Sequence, residues 1–247
     1  MEFASWSSRR FGLGCHKLMV TINLGLLNLF GYDFAVADAI GLRERKKQQT
    51  RQQIYEAARK LFETRGFDRV SVAEVARAAD VSEVTVFNYF PTKEDLLYGG
   101  MEFFEEQLIE AVRIRPKGES AAKAFRRRLL AGAERLETKQ TADAILKGAQ
   151  LISASSSLVA REREIVERFT ARLAEVLTQE TGADVEDVEP LVVASVLMAT
   201  HRTLVGHVRR RVIAGQRGAR LAEDYRSQAR RAFARLERGL AGYAVRK

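Results

Sequence analysis

From Arg43 onward the apolar side chains of this chain recur at three- and four-residue spacing, and no segment alternates apolar with polar residues as a half-buried strand does. That pattern limits the fold to helices packed on helices, an all-α protein. Ile54, Ala57, Ala58, Leu61 and Phe62 make the first stripe, and Gly66 stands where a left-handed cap would end it. Pro91 stops a short helix, and a helix from Thr92 to about Arg113 follows, its apolar side carrying Leu96, Leu97, Met101, Phe104 and Leu108. After a break at Pro116 and Gly118, the spacing predicts helices over about 120–138, 141–155, 158–181, 187–214 and 220–244. Pro190 falls in the first turn of one of these, where its missing N–H costs nothing.

Of the 247 residues, 46% are hydrophobic and 30% charged, enough to bury a core and solvate its outside. A lone Cys15 excludes an internal disulfide and a Cys-rich zinc site. No phosphate loop, nucleophile elbow or HExxH motif occurs, and His201 and His207 are spaced so that they miss a common helix face. The expectation is a protein that is not an enzyme and needs no metal or cofactor. The net charge of +9 points to an anionic partner, yet residues 201–247 alone hold thirteen Lys+Arg against three Asp+Glu. Net charge therefore does not locate a nucleic-acid site.

Residues 1–41 read differently from the rest. Arg9, Arg10 and Lys17 precede an apolar run from Leu18 to Phe30, and Ala35-Val36-Ala37 has the small-x-small spacing of a signal-peptidase site. Two readings stand: an export signal, or a poorly ordered extension upstream of a cytoplasmic protein. The pattern of residues 43–95, described next, favours the second. The run is also shorter than the roughly 20 residues of a membrane span.

Between residues 46 and 90 three helices follow closely. Ser71-Val-Ala-Glu74 is a capping box that opens a short helix with Val72, Val75, Ala76 and Ala79 inward. Asp80 occupies a tight turn, being a residue type that tolerates left-handed backbone. Ser82 caps the next helix, which runs to about Tyr89 with Val86 and Phe90 toward the core. Its other face offers Ser82, Glu83, Val84, Thr85, Phe87, Asn88 and Tyr89. This is the layout of a helix-turn-helix, whose second helix enters the major groove.

Several segments match at once: Ala57-Ala58-Arg-Lys-Leu61-Phe62-Glu-Thr-Arg-Gly66-Phe67, Ser71-Val72-Ala-Glu-Val75-Ala76, Val81-Ser82, and Thr85-Val86-Phe87-Asn88-Tyr89-Phe90-Pro-Thr-Lys93-Glu94-Asp95-Leu96-Leu97. Over residues 46–98 the chain resembles the tetracycline-repressor (TetR) family of bacterial transcriptional regulators. It departs from the family pattern at Asp80, where Gly is common, and at Phe87, where many members have Tyr and a phosphate hydrogen bond. The resemblance implies phosphate contacts from Ser71, Thr85, Tyr89 and Lys93, and a phosphate or minor-groove contact from Arg51 or its neighbours Arg45, Lys46 and Lys47. It implies base contacts from Glu83, Val84 and Asn88. The expected division is an extension (1–41), a helix-turn-helix DNA-binding domain (42–95) and a helical effector-binding and dimerisation domain (96–247).

Members dimerise through their last two helices and often hold a small effector. Here Leu191 and Met198 line one of these helices, while Tyr225, Phe233, Leu236 and Leu240 form a stripe on the other, so these six are the expected dimer interface. The expected effector pocket holds Phe103, Phe104, Phe125, Gln150, Phe169 and His201. The polar stretch 149–157 either lines a cavity or forms a surface turn. The resemblance implies a homodimeric, ligand-responsive repressor on a palindromic double-stranded operator, with no membrane partner. A constitutive architectural DNA-binder using its basic C-terminus is the other reading, and a helical enzyme a third.

Overall fold

The apolar stripes fold into ten α-helices and one short 3₁₀ turn among residues 42–99, 101–240 and 243–245, the residues that the structure, a computed structural model, describes. The readings placed on residues 1–41 lie outside them. Helix α1 (Leu42–Arg65) buries Ile54, Tyr55, Ala58 and Phe62 and packs on α2 (Val72–Ala78) and α4 (Asp95–Tyr98), while α3 (Glu83–Tyr89) packs on α2. The first two turns of α1 carry Arg43, Arg45, Lys46 and Lys47 exposed. Gly66 closes α1 with φ of 80°, and Phe62 meets Phe67 at a tilt of 57° with ring centroids 5.0 Å apart.

The helical body follows: α5 (Met101–Arg113), α6 (Ala121–Ala131), the 3₁₀ turn (Ala133–Glu137), α7 (Lys139–Ser153), α8 (Ser156–Thr181), α9 (Glu189–Ile213) and α10 (Gly218–Leu240). α8 and α9 pack along each other, and α10 lies over α6 and the 3₁₀ turn. By length and composition α9 could cross a bilayer, but Val193, Leu197, Leu204 and Val208 are buried in the protein core with α7, α8 and α10.

Two expected helices are broken. The segment from Thr92 to Arg113 divides after Tyr98, because the backbone at Gly99 runs against Phe90. A Cβ there would stand 2.5 Å from Phe90 Cε1 and 2.8 Å from the Asp95 carbonyl. The 120–138 segment yields to the 3₁₀ turn after Ala131, with Gly132 between them. Since neither neighbour of Gly99 is a loose side-chain tip, Gly99→Ala is expected to cost about 1–3 kcal/mol, read as a lower urea midpoint.

Much of the stripe expected at a dimer interface on α10 is taken up inside the protomer. Phe233 is fully buried inside the protomer, 6.2 Å from the Phe125 ring. Tyr225 and Met198 are buried too, and Tyr225 Oη donates to the Leu129 carbonyl across 3.4 Å. Leu236 and Leu240 pack on the same core. α6 and the 3₁₀ turn need that stripe to close the protomer's own core. Of the six residues, Leu191 alone is exposed.

Candidate nucleic-acid interface

Local chemistry builds the reading head. Ser71 Oγ accepts from the Glu74 N–H at 3.2 Å, and the Glu74 carboxylate accepts from the Ser71 N–H at 2.8 Å, which completes the capping box. The Ser71 N–H, then the Arg65 guanidinium at 2.6 Å, hold the Glu74 carboxyl down at about 2. The turn to α3 passes through Asp80 at φ of 53°, left-handed as its residue type allows. Ser82 caps α3 by accepting from the Thr85 N–H at 3.1 Å. Val75, Ala76, Val86 and Phe90 then bury the inner faces of both helices.

What remains outside is the exposed face of α3: Ser82, Glu83, Val84, Phe87 and Asn88. The three side chains expected at base edges, Glu83, Val84 and Asn88, are all exposed on it, Val84 and Asn88 four residues apart on one helix face. The residues expected at phosphates are less uniform. The Ser71 hydroxyl lies 3.0 Å from the Glu74 carboxylate and the Thr85 hydroxyl 2.8 Å from Ser82 Oγ, so both already serve caps. Tyr89 is half-buried against the core. Lys93 sits with Nζ 4.3 Å from the centre of the Phe67 ring.

Arg51 does something else. Its guanidinium donates to the Gly99 carbonyl at 2.7 Å and lies 5.0 Å from the Phe90 ring, which ties α1 to the end of α4. One to two turns earlier, α1 leaves Arg43, Arg45, Lys46 and Lys47 exposed.

The head is fastened to the body by polar contacts that sequence reasoning missed. Asp95 caps its own turn, accepting from the Thr92 N–H at 3.0 Å, and also accepts from Arg161 of α8 at 2.8 Å. Lys147 of α7 reaches Glu63 of α1 at 2.8 Å. Ser155 donates to Asp68 at 2.8 Å, and Tyr98 Oη donates to the Leu158 carbonyl at 3.0 Å. The serine-rich stretch 149–157 is therefore the α7–α8 corner, with buried Ser155 holding the head. Partners 60 to 87 residues apart in sequence carry no local spacing signal.

The expected effector pocket is only partly brought together. Phe125, Phe169 and His201 are buried, and burial, then the nearby Arg209, pushes the His201 imidazole down to about 4, so it is neutral at pH 7. Gln150 is a correction: it faces solvent from α7, since Gly148, Ala149 and Ile152 take the buried side. The side chains of Phe103 and Phe104 lie outside the described residues.

Comparison with known proteins agrees with this geometry. Residues 54–98 match the family described as bacterial regulatory proteins, tetR family. The chain is 28% identical over 174 residues to the HTH-type transcriptional regulator TcmR of Streptomyces glaucescens, 66% of this chain and 75% of that protein. It is 30% identical over 139 residues to the nucleoid occlusion factor SlmA of Vibrio cholerae, 54% of this chain and 69% of SlmA. Among solved structures it is similar in fold to NalD, the secondary repressor of the MexAB-OprM multidrug efflux pump in Pseudomonas aeruginosa, with a TM-score of 0.50, 22% identity, and 78% and 96% of the two chains covered. SmeT in complex with triclosan aligns with a TM-score of 0.50 and 17% identity, over 77% of this chain and 91% of that one. The chain belongs to the tetR family of bacterial regulatory proteins and is a DNA-binding transcriptional regulator.

Proposed function

We propose that the chain is a ligand-responsive repressor that acts as a cytoplasmic homodimer on a palindromic operator, with residues 42–95 reading DNA and residues 96–247 dimerising and holding the effector. The observation that carries this is the α3 face: polar and apolar groups for base edges, exposed on a helix whose other face is locked into the core. Asn88 would pair with adenine and Glu83 would accept from cytosine N4. Thr85, Tyr89 and Lys93 would hold phosphates around them, and Ser71 would present a helix start to the backbone. The exposed cations of α1 take the place first given to Arg51.

The effector reading is supported by the buried Phe169 and His201, on helices α8 and α9 that pack side by side. It is also supported by the bound triclosan of SmeT. A ligand there would act through α8, whose Arg161 grips the head at Asp95. Dimerisation is assigned to the outer face of α9, which carries Leu191, Val192, Ser195, Ala199, Thr203 and Ile213 exposed.

Selection of bound sequences from randomised duplexes tests the reading. The expected product is an inverted repeat whose half-site centres lie one helical turn apart, roughly 34–36 Å, or a multiple of it. Asn88→Ala is then expected to relax one base position by ~1–3 kcal/mol, while Lys93→Ala weakens all duplexes alike and lowers the salt slope by about one. Steep salt dependence without any selected sequence would replace the regulator with the architectural binder.

A further inference from the structure

Two exposed apolar side chains stand together on α3: Val84, 69% exposed, and Phe87, 46% exposed. Being three residues apart they share one face, with Asn88 beside them and Glu83 a turn before Phe87. The core does not need them, because Val86 and Phe90 already fill it from the opposite side at 1% and 2% exposure. Helix α3, Glu-Val-Thr-Val-Phe-Asn-Tyr, contains no Lys or Arg. The commonest specific contact in the major groove, a cation donating to guanine O6 and N7, is therefore unavailable from this helix. The apolar group that a base edge offers in that groove is the thymine 5-methyl. Phe87 also has no hydroxyl with which to hold a phosphate, so its ring face is what it can contribute.

We infer that Val84 and Phe87 are specificity-determining residues that read thymine 5-methyl groups, so that this chain recognises thymines in its half-site by apolar contact rather than by hydrogen bonding. The inference rests on the reading that α3 enters the major groove. Asn88, on the same face, would take adenine N6 and N7 at a neighbouring pair, which makes the core of the half-site A·T in character. The hydroxyls of Ser82 and Thr85 beside this face, and the ammonium of Lys93 past the end of α3, suit a rim of phosphates around an apolar centre.

The test uses the full chain and the duplex it selects. Each half-site thymine is replaced singly by deoxyuridine, which keeps base pairing and every hydrogen-bonding group and removes one methyl. Affinity is expected to fall about fourfold at one or two positions, the value of one buried carbon. Phe87→Ala should make binding indifferent to the exchange at one of them and Val84→Ala at the other, while Phe87→Tyr keeps the sensitivity. Both positions are exposed, and circular dichroism checks that the variants stay folded. Equal affinity for every deoxyuridine duplex, with sequence selection intact, overturns the methyl reading and leaves the regulator standing. Sensitivity that persists unchanged in both alanine variants also overturns it, since the methyl would then act through DNA shape. If no sequence is selected at all, the inference falls together with the reading beneath it.

Discussion

Arg115→Ala is expected to destabilise the protein by about 2–3 kcal/mol. Arg115 is 1% exposed, yet it carries a full charge past the end of α5. Its guanidinium makes a forked pair with Glu180 near the end of α8, at 2.6 and 3.0 Å. It also donates to the Glu119 carbonyl at 3.0 Å, to the Ala244 carbonyl at 2.6 Å and to the Val112 carbonyl. One side chain thus joins α5, the loop into α6, the end of α8 and the segment after α10. Truncation leaves the buried Val112 carbonyl and the part-buried Glu119 and Ala244 carbonyls short of a donor, which costs more than the bonds they made, while water can still reach the exposed Glu180 carboxylate. Urea denaturation followed by far-ultraviolet circular dichroism measures the change. Arg115→Lys, which keeps the charge but loses the fork, should recover only part of it. A loss below about 1 kcal/mol would mean that the pair behaves as a surface salt bridge and that the four segments are held by apolar packing alone.

Arg115 also shows what the sequence left unreadable. The reading head is written in short-range rules: Ser71 and Glu74, Ser82 and Thr85, and Asp80 at its turn each lie within a few residues of their partners, so spacing reveals them. The body is held by partners 60 or more residues apart, such as Arg115 with Glu180 and Arg161 with Asp95, and no local pattern marks these. Arg51 also has a partner that no local pattern marks. Its position next to the recognition unit suggested a phosphate, but Gly99 supplies an acceptor 48 residues later. The apolar stripe of α10 was legible as a stripe, whereas its destination was not. Periodicity says that a face is buried and is silent on whether its own protomer or a second one buries it.

That distinction decides how dimerisation is to be broken. Val192, Ala199, Gly206 and Ile213 recur every seven residues along α9, on the side turned away from the core, with Ile213 61% exposed. A seven-residue repeat is the spacing that keeps one seam of a helix against another helix. The middle of the seam is small, and a Cβ added at Gly206 meets nothing nearer than the Arg210 guanidinium at 3.5 Å. The protomer itself does not require glycine there, whereas a second helix approaching closely would. Val192→Glu combined with Ala199→Glu is therefore expected to leave the protomer folded, since both sites are exposed, and to place unpaired charge in a two-fold interface where each residue meets its mate or a near neighbour. Sedimentation should show a monomer, and operator affinity should fall by about 10²–10⁴, because the second half-site no longer binds as an intramolecular event. Phe233→Glu is the contrast: its ring is buried against Phe125, so the expected result is loss of the fold rather than a clean monomer. A folded, dimeric α9 double variant would move the interface off this seam, and a monomer with undiminished operator affinity would remove dimerisation from the mechanism.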